Sequence, residues 1–185
     1  MAAKSIKKTA TKKKEKTKSP DKAGIRLYTL NVELVAGRVT EEYDDENPVV
    51  SRAIQIRGDQ TLEDLHFAIF DAFDRYDEHL YEFQFGSRPQ GRKNKRYVLP
   101  MDMEDPWFEL DGAEEPAEDL TRTTIESLRL RRRMKFWYWF DFGDDWWHRI
   151  EMVDVGEPAP RHRYPKVVKR VGKSPPQYPN WDEEE

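Results

Sequence analysis

Acidic and imidazole side chains gather around one aromatic part of the sequence, and these are the groups that could do chemistry. The candidate binding residues are His79, Asp141, Asp144, Asp145 and His148, with Asp77 shortly before the first of them. Carboxylates and imidazoles bind Mg²⁺, Mn²⁺ or Zn²⁺, and a histidine exchanges protons near neutral pH. Three interpretations of this cluster therefore stay open: structural turn chemistry, a pocket for a ligand or partner, and metal-dependent catalysis.

Turn chemistry is the simplest of the three interpretations. An aspartate at a hairpin tip hydrogen-bonds its own backbone and tolerates unusual dihedral angles. His79 can act in a similar way between a helix and a strand. We favour this interpretation and predict no catalytic residue, no cofactor and no tightly bound metal. We also expect His79 and the tip acids to lie near one another at one end of a sheet.

Common catalytic motifs are missing from the sequence. The chain has no cysteine, which excludes disulfides, thiolate metal sites and cysteine nucleophiles. The triplet Asp141-Phe142-Gly143 spells the magnesium-binding motif of protein kinases, but no glycine-rich phosphate loop and no HRD-type catalytic loop accompany it. A Walker motif and a dinucleotide-binding fingerprint are also missing. The sequence therefore reveals no reaction.

The element that must position the cluster is the stretch at residues 135–155, KFWYWFDFGDDWWHRIEMVDV. Two aromatic runs flank a Gly-Asp-Asp tip, and this order predicts a β-hairpin because aromatic residues favour pleated, half-buried surfaces. Gly143 permits a positive φ at the tip. Four of the six tryptophans lie within the stretch, so we expect the hairpin to contribute more to the core than any other element.

Periodicity predicts the remaining elements. Alternation of apolar residues predicts strands over residues 25–35, 49–57 and 80–85. A helix is predicted to begin at Thr61, with Asp64 in capping-box spacing, and to end at about Tyr76. The segments between are expected to form a loop at 36–50, a long polar connection at 86–122 and a short helix from 123.

These elements predict a single α+β domain with an aromatic-rich C-terminal hairpin. His66 lies beside the apolar face of the predicted helix. We interpret it as a partly buried or boundary histidine.

Charge divides the chain into three parts. Residues 1–24 hold nine lysines against two acids, a net charge of +7, and lack periodic apolar residues, so we predict a disordered lysine-rich tail. Residues 25–157 form the predicted domain, and residues 158–185 form a proline-rich acidic C-terminal segment. Everything after residue 24 carries −11, which argues against a broad nucleic-acid-binding face on the domain.

The partners that this composition allows are limited. The lysine-rich tail could make a weak, salt-dependent contact with a polyanion, although a solvated tail is the simpler interpretation. The sequence contains no long apolar run and no secretory signal, so we expect a cytoplasmic protein without a membrane contact. An unknown protein partner is expected for the folded part.

Five segments, in order, resemble a family named after the third open reading frame of a root-inducing (Ri) plasmid. They are YTLNVEL, TLEDLHFAIFDAF, DEHLYEFQFG, TTIESL and FWYWFDFGDDWWHRIEM. The family also includes insertion-element passenger proteins, some of which carry a resolvase name. The resemblance implies an α+β fold with a mixed or antiparallel sheet and one main helix packed on it. It also makes the histidine before LYEF and the aspartates of DFGDDW recurring polar positions. It implies no activity.

Two functional hypotheses follow from the residues and the resemblance together. The first is a non-enzymatic binding or interaction module of a mobile-element-associated family, because the chain is rich in tryptophan and lacks a catalytic motif. The alternative is a metal-dependent enzyme that acts on nucleic acid through the His/Asp cluster. Whether the histidines and aspartates converge in space discriminates between the two.

Overall fold

The structure is a computed structural model, and it describes residues 24–104, 116–159 and 161–179. The predicted lysine-rich tail lies outside the described residues except for Gly24. The acidic end of the C-terminal segment, residues 180–185, also lies outside them.

One eight-stranded sheet forms the body of the molecule. Its strands, in chain order, are β1 (Leu27–Ala36), β2 (Ser51–Arg57), β3 (Tyr81–Phe85), β4 (Lys95–Val98), β5 (Glu118–Asp119), β6 (Lys135–Phe140), β7 (Trp146–Gly156) and β8 (Lys166–Val171). The spatial order is β5-β4-β3-β6-β7-β1-β2-β8. Strands β4 and β5 pair in parallel and all other neighbours are antiparallel. The sheet is therefore mixed, and the predicted α+β fold class is confirmed.

The predicted hairpin is present as β6 and β7 at the centre of the sheet. Tyr138 pairs with His148 and Phe140 pairs with Trp146. Because side chains alternate along a strand, these four residues face one side of the sheet, and all are buried. The tryptophans at 137 and 139 face the other side and are half-buried. The helix-facing side of the hairpin is thus the middle of the core.

A single long helix, α2 (Leu62–Ala72), covers that side of the sheet. Thr61 and Asp64 form the predicted capping box, in which each side chain accepts a hydrogen bond from the other residue's backbone N–H. This satisfies two donors that the first helical turn leaves free. The helix ends earlier than predicted, because Asp74 adopts a left-handed conformation with φ 56° and the backbone N–H of Arg75 bonds to the carbonyl of Phe70.

Three local predictions are wrong. The expected connection at residues 86–122 contains the strands β4 and β5. The expected loop at residues 36–50 contains a short helix, α1 (Glu41–Glu46), whose first turn is capped by the Thr40 side chain. The expected short helix from residue 123 is a series of turns. There the backbone N–H groups of Ile125 and Glu126 donate to the carbonyls of Gln60 and Gly58, so long-range bonds replace the helical ones.

The sheet continues beyond residue 157, where we placed the end of the domain. Strand β8 pairs with β2 in antiparallel register. The chain then runs along the end of α2 as a segment that we call the C-terminal strap, residues 173–178. Within the described ranges, the protein contains no helix with the length and apolarity needed to cross a membrane.

Candidate functional site

The structure distributes the five candidate residues over three places. His79 and Asp141 meet at one rim of the sheet, beside the end of α2. The acids at 144 and 145 lie at the hairpin tip and point elsewhere. His148 lies inside the core.

His79 and Asp141 form the centre of the first place. The Nε2 atom of His79 is 3.5 Å from Oδ2 of Asp141 and 3.7 Å from Oδ2 of Asp77. The same nitrogen is 2.8 Å from the hydroxyl of Tyr178, in the C-terminal strap. We call these four residues, Asp77, His79, Asp141 and Tyr178, the rim cluster. It brings together the helix end, the hairpin tip and the strap.

The hydrogen bonds of the rim cluster determine which atoms carry protons. The Tyr178 hydroxyl donates to Oδ2 of Asp77 over 2.6 Å, and this bond raises the pKa of Tyr178 to about 12. A tyrosine hydroxyl has only one proton to donate. His79 must therefore donate from Nε2 to the Tyr178 oxygen, which fixes its tautomer when the ring is neutral.

Asp141 also performs the turn chemistry that the sequence predicts. Its φ is 54°, and its Oδ1 accepts hydrogen bonds from the backbone N–H groups of Gly143 and Asp144 at 3.1 and 3.3 Å. The side chain is nearly buried, and the other carboxylate oxygen faces His79. One carboxylate thus shapes the tip with one oxygen and joins the rim cluster with the other.

The remaining tip acids do not join the rim cluster. Asp144 accepts a hydrogen bond from Arg38 at 3.0 Å, on the loop after β1. Asp145 has a φ of 53° and accepts from the indole N–H of Trp139 at 3.0 Å, on the opposite side of the sheet from α2. Our expectation that Asp144 and Asp145 converge with His79 is wrong. Asp144 binds Arg38 and Asp145 binds Trp139, so the two carboxylates do not meet the His79 ring.

His148 is also separated from the rim, so its grouping with the tip acids is wrong. It is 1% exposed, and the ring of Phe73 meets it edge-on with centroids 4.7 Å apart. Burial, together with the nearby charge of Arg75, lowers the pKa of His148 to about 3. Neither ring nitrogen has a hydrogen-bonding partner among the described residues. His148 is therefore a neutral core residue.

His66, which the sequence indicates is a partly buried or boundary residue, is buried in the structure with 3% of its surface exposed. Its Nδ1 is 2.7 Å from the hydroxyl of Tyr138, and its ring stacks on Tyr81 with centroids 3.5 Å apart. Burial lowers the pKa of His66 to about 3 and raises that of Tyr138 well above its usual value. A pair of neutral polar groups therefore links α2 to the hairpin.

Arg75 is a buried residue that the sequence reasoning missed. Its guanidinium lies over the ring of Trp146, 3.8 Å from the centroid, and its Nη1 donates to the carbonyl of Pro175 at 3.4 Å. Burial lowers the pKa of Arg75 to about 10. The sequence carries no periodic signal for this residue, because it follows the helix end and is turned inward by the left-handed Asp74.

The C-terminal strap builds the outer part of the rim. The Gln177 side chain accepts hydrogen bonds from the backbone N–H groups of Tyr76 and Asp77 and donates to the Asp77 carbonyl. The rings of Tyr76 and Tyr178 meet edge-to-face with centroids 6.0 Å apart. Tyr76 is 70% exposed, and Tyr178 and Leu80 are each more than 40% exposed. Exposed apolar surface thus surrounds the polar rim cluster.

The rim cluster has no metal-ligand geometry. Across residues 24–104, 116–159 and 161–179, the structure contains no group of three or more His, Asp or Glu side chains that could hold a metal ion. The Tyr178 hydroxyl occupies the space between His79 and Asp77. The arrangement can exchange protons and accept cationic or hydrogen-bonding groups.

Comparison with known proteins shows a similarity to a protein family and a similarity to a solved structure. The family model described as plasmid pRiA4b ORF-3-like protein matches residues 36–178. A crystal structure of a protein of unknown function, MM3350 from Methanosarcina mazei Go1, superimposes with a TM-score of 0.59 at 20% sequence identity, covering 82% of this chain and 72% of that one. A search of curated proteins finds no match. At this identity the structural similarity shows a shared fold.

Proposed function

The chain belongs to the plasmid pRiA4b ORF-3-like family, and from this premise we propose that it is a non-enzymatic interaction module whose contact surface is the rim. By the rim we mean the four residues of the rim cluster together with Tyr76 and Leu80. The partner is a protein. The observation that carries the proposal is the placement of exposed aromatic and aliphatic side chains around a preorganised polar centre.

The exposed residues of the rim have the composition of a binding hot spot. Tyrosine is enriched where interfaces gain most of their energy, because its ring offers apolar area and its hydroxyl a hydrogen bond. Tyr76 leaves most of its ring in solvent although it lies beside Tyr178 and Leu80. A partner that covers these side chains would gain burial without having to displace core contacts.

The polar centre of the rim supports partner recognition more than catalysis. His79 donates to Tyr178, and Tyr178 donates to Asp77, so these hydrogen bonds already hold the three side chains in place. Their fixed directions offer a specific pattern to a partner. The metal-dependent enzyme that we kept as the alternative has no three-ligand group among the described residues to support it.

A matched pair of surface substitutions tests the proposal. Tyr76→Ser removes the most exposed ring of the rim, and Phe67→Ser removes a 49% exposed ring from the outer side of α2. Partners are first captured from the native cell with the full chain, and the affinity of the purified partner for each variant is then measured. We expect Tyr76→Ser to weaken binding about tenfold or more, and Phe67→Ser to leave it nearly unchanged.

Thermal unfolding of both variants provides the control for folding. His79→Ala should also weaken the interaction, because it removes the donor to Tyr178. Equal affinities for wild type, Tyr76→Ser and His79→Ala would contradict the proposal. A partner lost only with Phe67→Ser would move the contact surface to the helix.

A further inference from the structure

Strand β8 has an open edge. It is the last strand in the sheet order, and among residues 24–104, 116–159 and 161–179 its only pairing partner is β2. Five of its six residues are exposed, and Val168 is 46% exposed. An open edge presents backbone N–H and C=O groups that can pair with another extended chain. This edge is therefore a place where a further strand can be added.

The open edge also differs from the rest of the domain in charge. Residues 158–179 contain six lysines and arginines and no acid, a net charge of +6. Residues 25–157 carry a net charge of −13. Strand β8 thus forms the middle of a cationic band on an otherwise acidic domain.

The charged side chains of β8 have two different surroundings. Arg170 turns inward, where it donates a hydrogen bond to the Ala72 carbonyl at the end of α2. Lys166 and Lys169 lie opposite Gln55 and Ala53, on the side of the sheet away from α2. Both lysines are exposed, and neither has an ion-pair partner in the part of the chain that the structure describes. Their charges are available to a partner.

We propose that the open edge of β8 binds an extended acidic peptide segment of a partner protein by strand addition. Main-chain hydrogen bonds supply the pairing, and alternate side chains supply the selectivity. Opposite charges placed across neighbouring strands stabilise a sheet, and like charges directly opposite destabilise it. Lys166 and Lys169 therefore attract an acidic strand and repel the β8 strand of a second copy.

The bulge in β8 fits this selectivity. The register with β2 shifts between Ala53 and Ile54, so one residue of β8 is extra at Val168. A bulge bends an edge strand and disfavours long, flat pairing. A short acidic segment can still pair with the residues on one side of the bulge. The edge is thus protected from aggregation without being closed to a short ligand.

Binding of a defined probe tests the inference on the full chain. The probe is a fluorescent peptide of about eight residues that alternates Glu and Val, a length typical of a strand. The matched ligand has the same charge, but each Val is replaced by Pro, which cannot pair as a central strand. We expect the first peptide to bind, the second to bind at least about tenfold more weakly, and added salt to weaken both.

A matched pair of protein variants locates the contact. Lys166→Glu with Lys169→Glu reverses two charges on β8, and Lys4→Glu with Lys7→Glu reverses two charges in the lysine-rich tail. We expect the β8 variant to lose at least about tenfold in affinity and the tail variant to change by less than about twofold. Hydrogen exchange should slow at residues 166–171 when the Glu-Val peptide is bound, and this readout does not depend on any variant folding.

Three results would overturn the inference. Equal binding of the Glu-Val and Glu-Pro peptides would show that charge alone acts and that no strand is added. Loss of binding with the tail variant and not with the β8 variant would assign the contact to the tail. Unchanged exchange at β8, together with lysine-dependent binding of single-stranded DNA, would make the band a nucleic-acid surface.

Discussion

Two of the histidines among the candidate residues, His148 and His79, have opposite surroundings. His148 lies under α2 with both ring nitrogens buried and the ring of Phe73 against it. His79 lies at the rim, one-third exposed, within hydrogen-bonding distance of Tyr178. His148 lies within the hairpin, and His79 lies just before β3, the strand that pairs with β6.

The difference shows that the position of a histidine relative to a strand decides whether its side chain faces the core or the surface. His148 follows the period-two alternation of β7 into the core, where burial keeps the ring neutral. His79 precedes β3, so the alternation of the strand does not fix the direction of its side chain. The side chain reaches Tyr178 in the strap. Residue type alone cannot separate a core histidine from a surface one.

We expect the largest change in the free energy of unfolding from Phe140, which lies between the core around His148 and the rim around His79. Phe140 is fully buried, packs edge-on against Phe70 and meets His79. Phe140→Ala should lower the free energy of unfolding by about 3–5 kcal/mol, because it leaves a cavity in the core. Trp139→Ala, on the half-buried side, should cost about 1–2 kcal/mol from lost ring contacts. Urea unfolding of both variants measures the two costs. Equal costs would mean that the two sides of the hairpin are equally buried.

The pH dependence of stability gives the next largest effect. An unfolded histidine has a pKa of about 6.5, and burial lowers the pKa of His66 and His148 to about 3. Between these values the unfolded chain binds more protons than the folded one, so stability falls as the pH falls. Each histidine should contribute a slope of about 1.4 kcal/mol per pH unit.

Substitution of one histidine tests that slope. His148 faces Tyr138, Phe73 and the charge of Arg75, and His148→Gln removes its titration. Urea unfolding between about pH 5 and pH 7 measures how the free energy of unfolding depends on pH. The slope of the variant should be smaller than that of wild type by about the contribution of one histidine. His66→Gln should reduce the slope by a similar amount. An unchanged slope in both variants would mean that neither ring is buried in the neutral form.

The smallest effect concerns the two roles of Asp141. Asp141→Ala removes the acceptor for two backbone N–H groups at a positive φ, and should cost about 1–2 kcal/mol. Asp141→Asn keeps an acceptor oxygen and tolerates the same backbone, so its cost should stay within about 0.5 kcal/mol. Thermal unfolding compares them. A large loss with Asn would show that the negative charge facing His79, and not the turn, is what stabilises the tip.

Much of the fold was predictable because the strongest signals are local. The hairpin, β1, β2, β3 and the Thr61 cap each follow from spacing within one segment. Strands β4 and β5 carry no such signal, because they lie in a polar connection and form only by pairing with β3 and with each other. The same holds for β8, whose partner β2 lies more than a hundred residues earlier.

The candidate site was predictable only in part. Its centre, His79 beside Asp141, agrees with the expectation that His79 and the tip acids lie near one another, because β3 pairs with β6. Tyr178 and Gln177 could not be placed, because they reach the rim across about a hundred residues of sequence. Arg75 was missed for a different reason, since its inward turn depends on one left-handed residue at the helix end.

The hydrogen bonds at the carbonyl of Ala72 have a consequence for the order in which the chain is synthesised. This carbonyl accepts from Arg52, on β2, and from Arg170, on β8. A ribosome releases α2 long before it releases Arg170 and the strap. The nascent protein therefore holds a helix with an incompletely bonded end and a sheet whose β2 edge is unpaired, the kind of edge that attracts other chains. A stop codon shortly before Lys166 would make that exposed state permanent, so such a truncated product should be a target for chaperones and proteases.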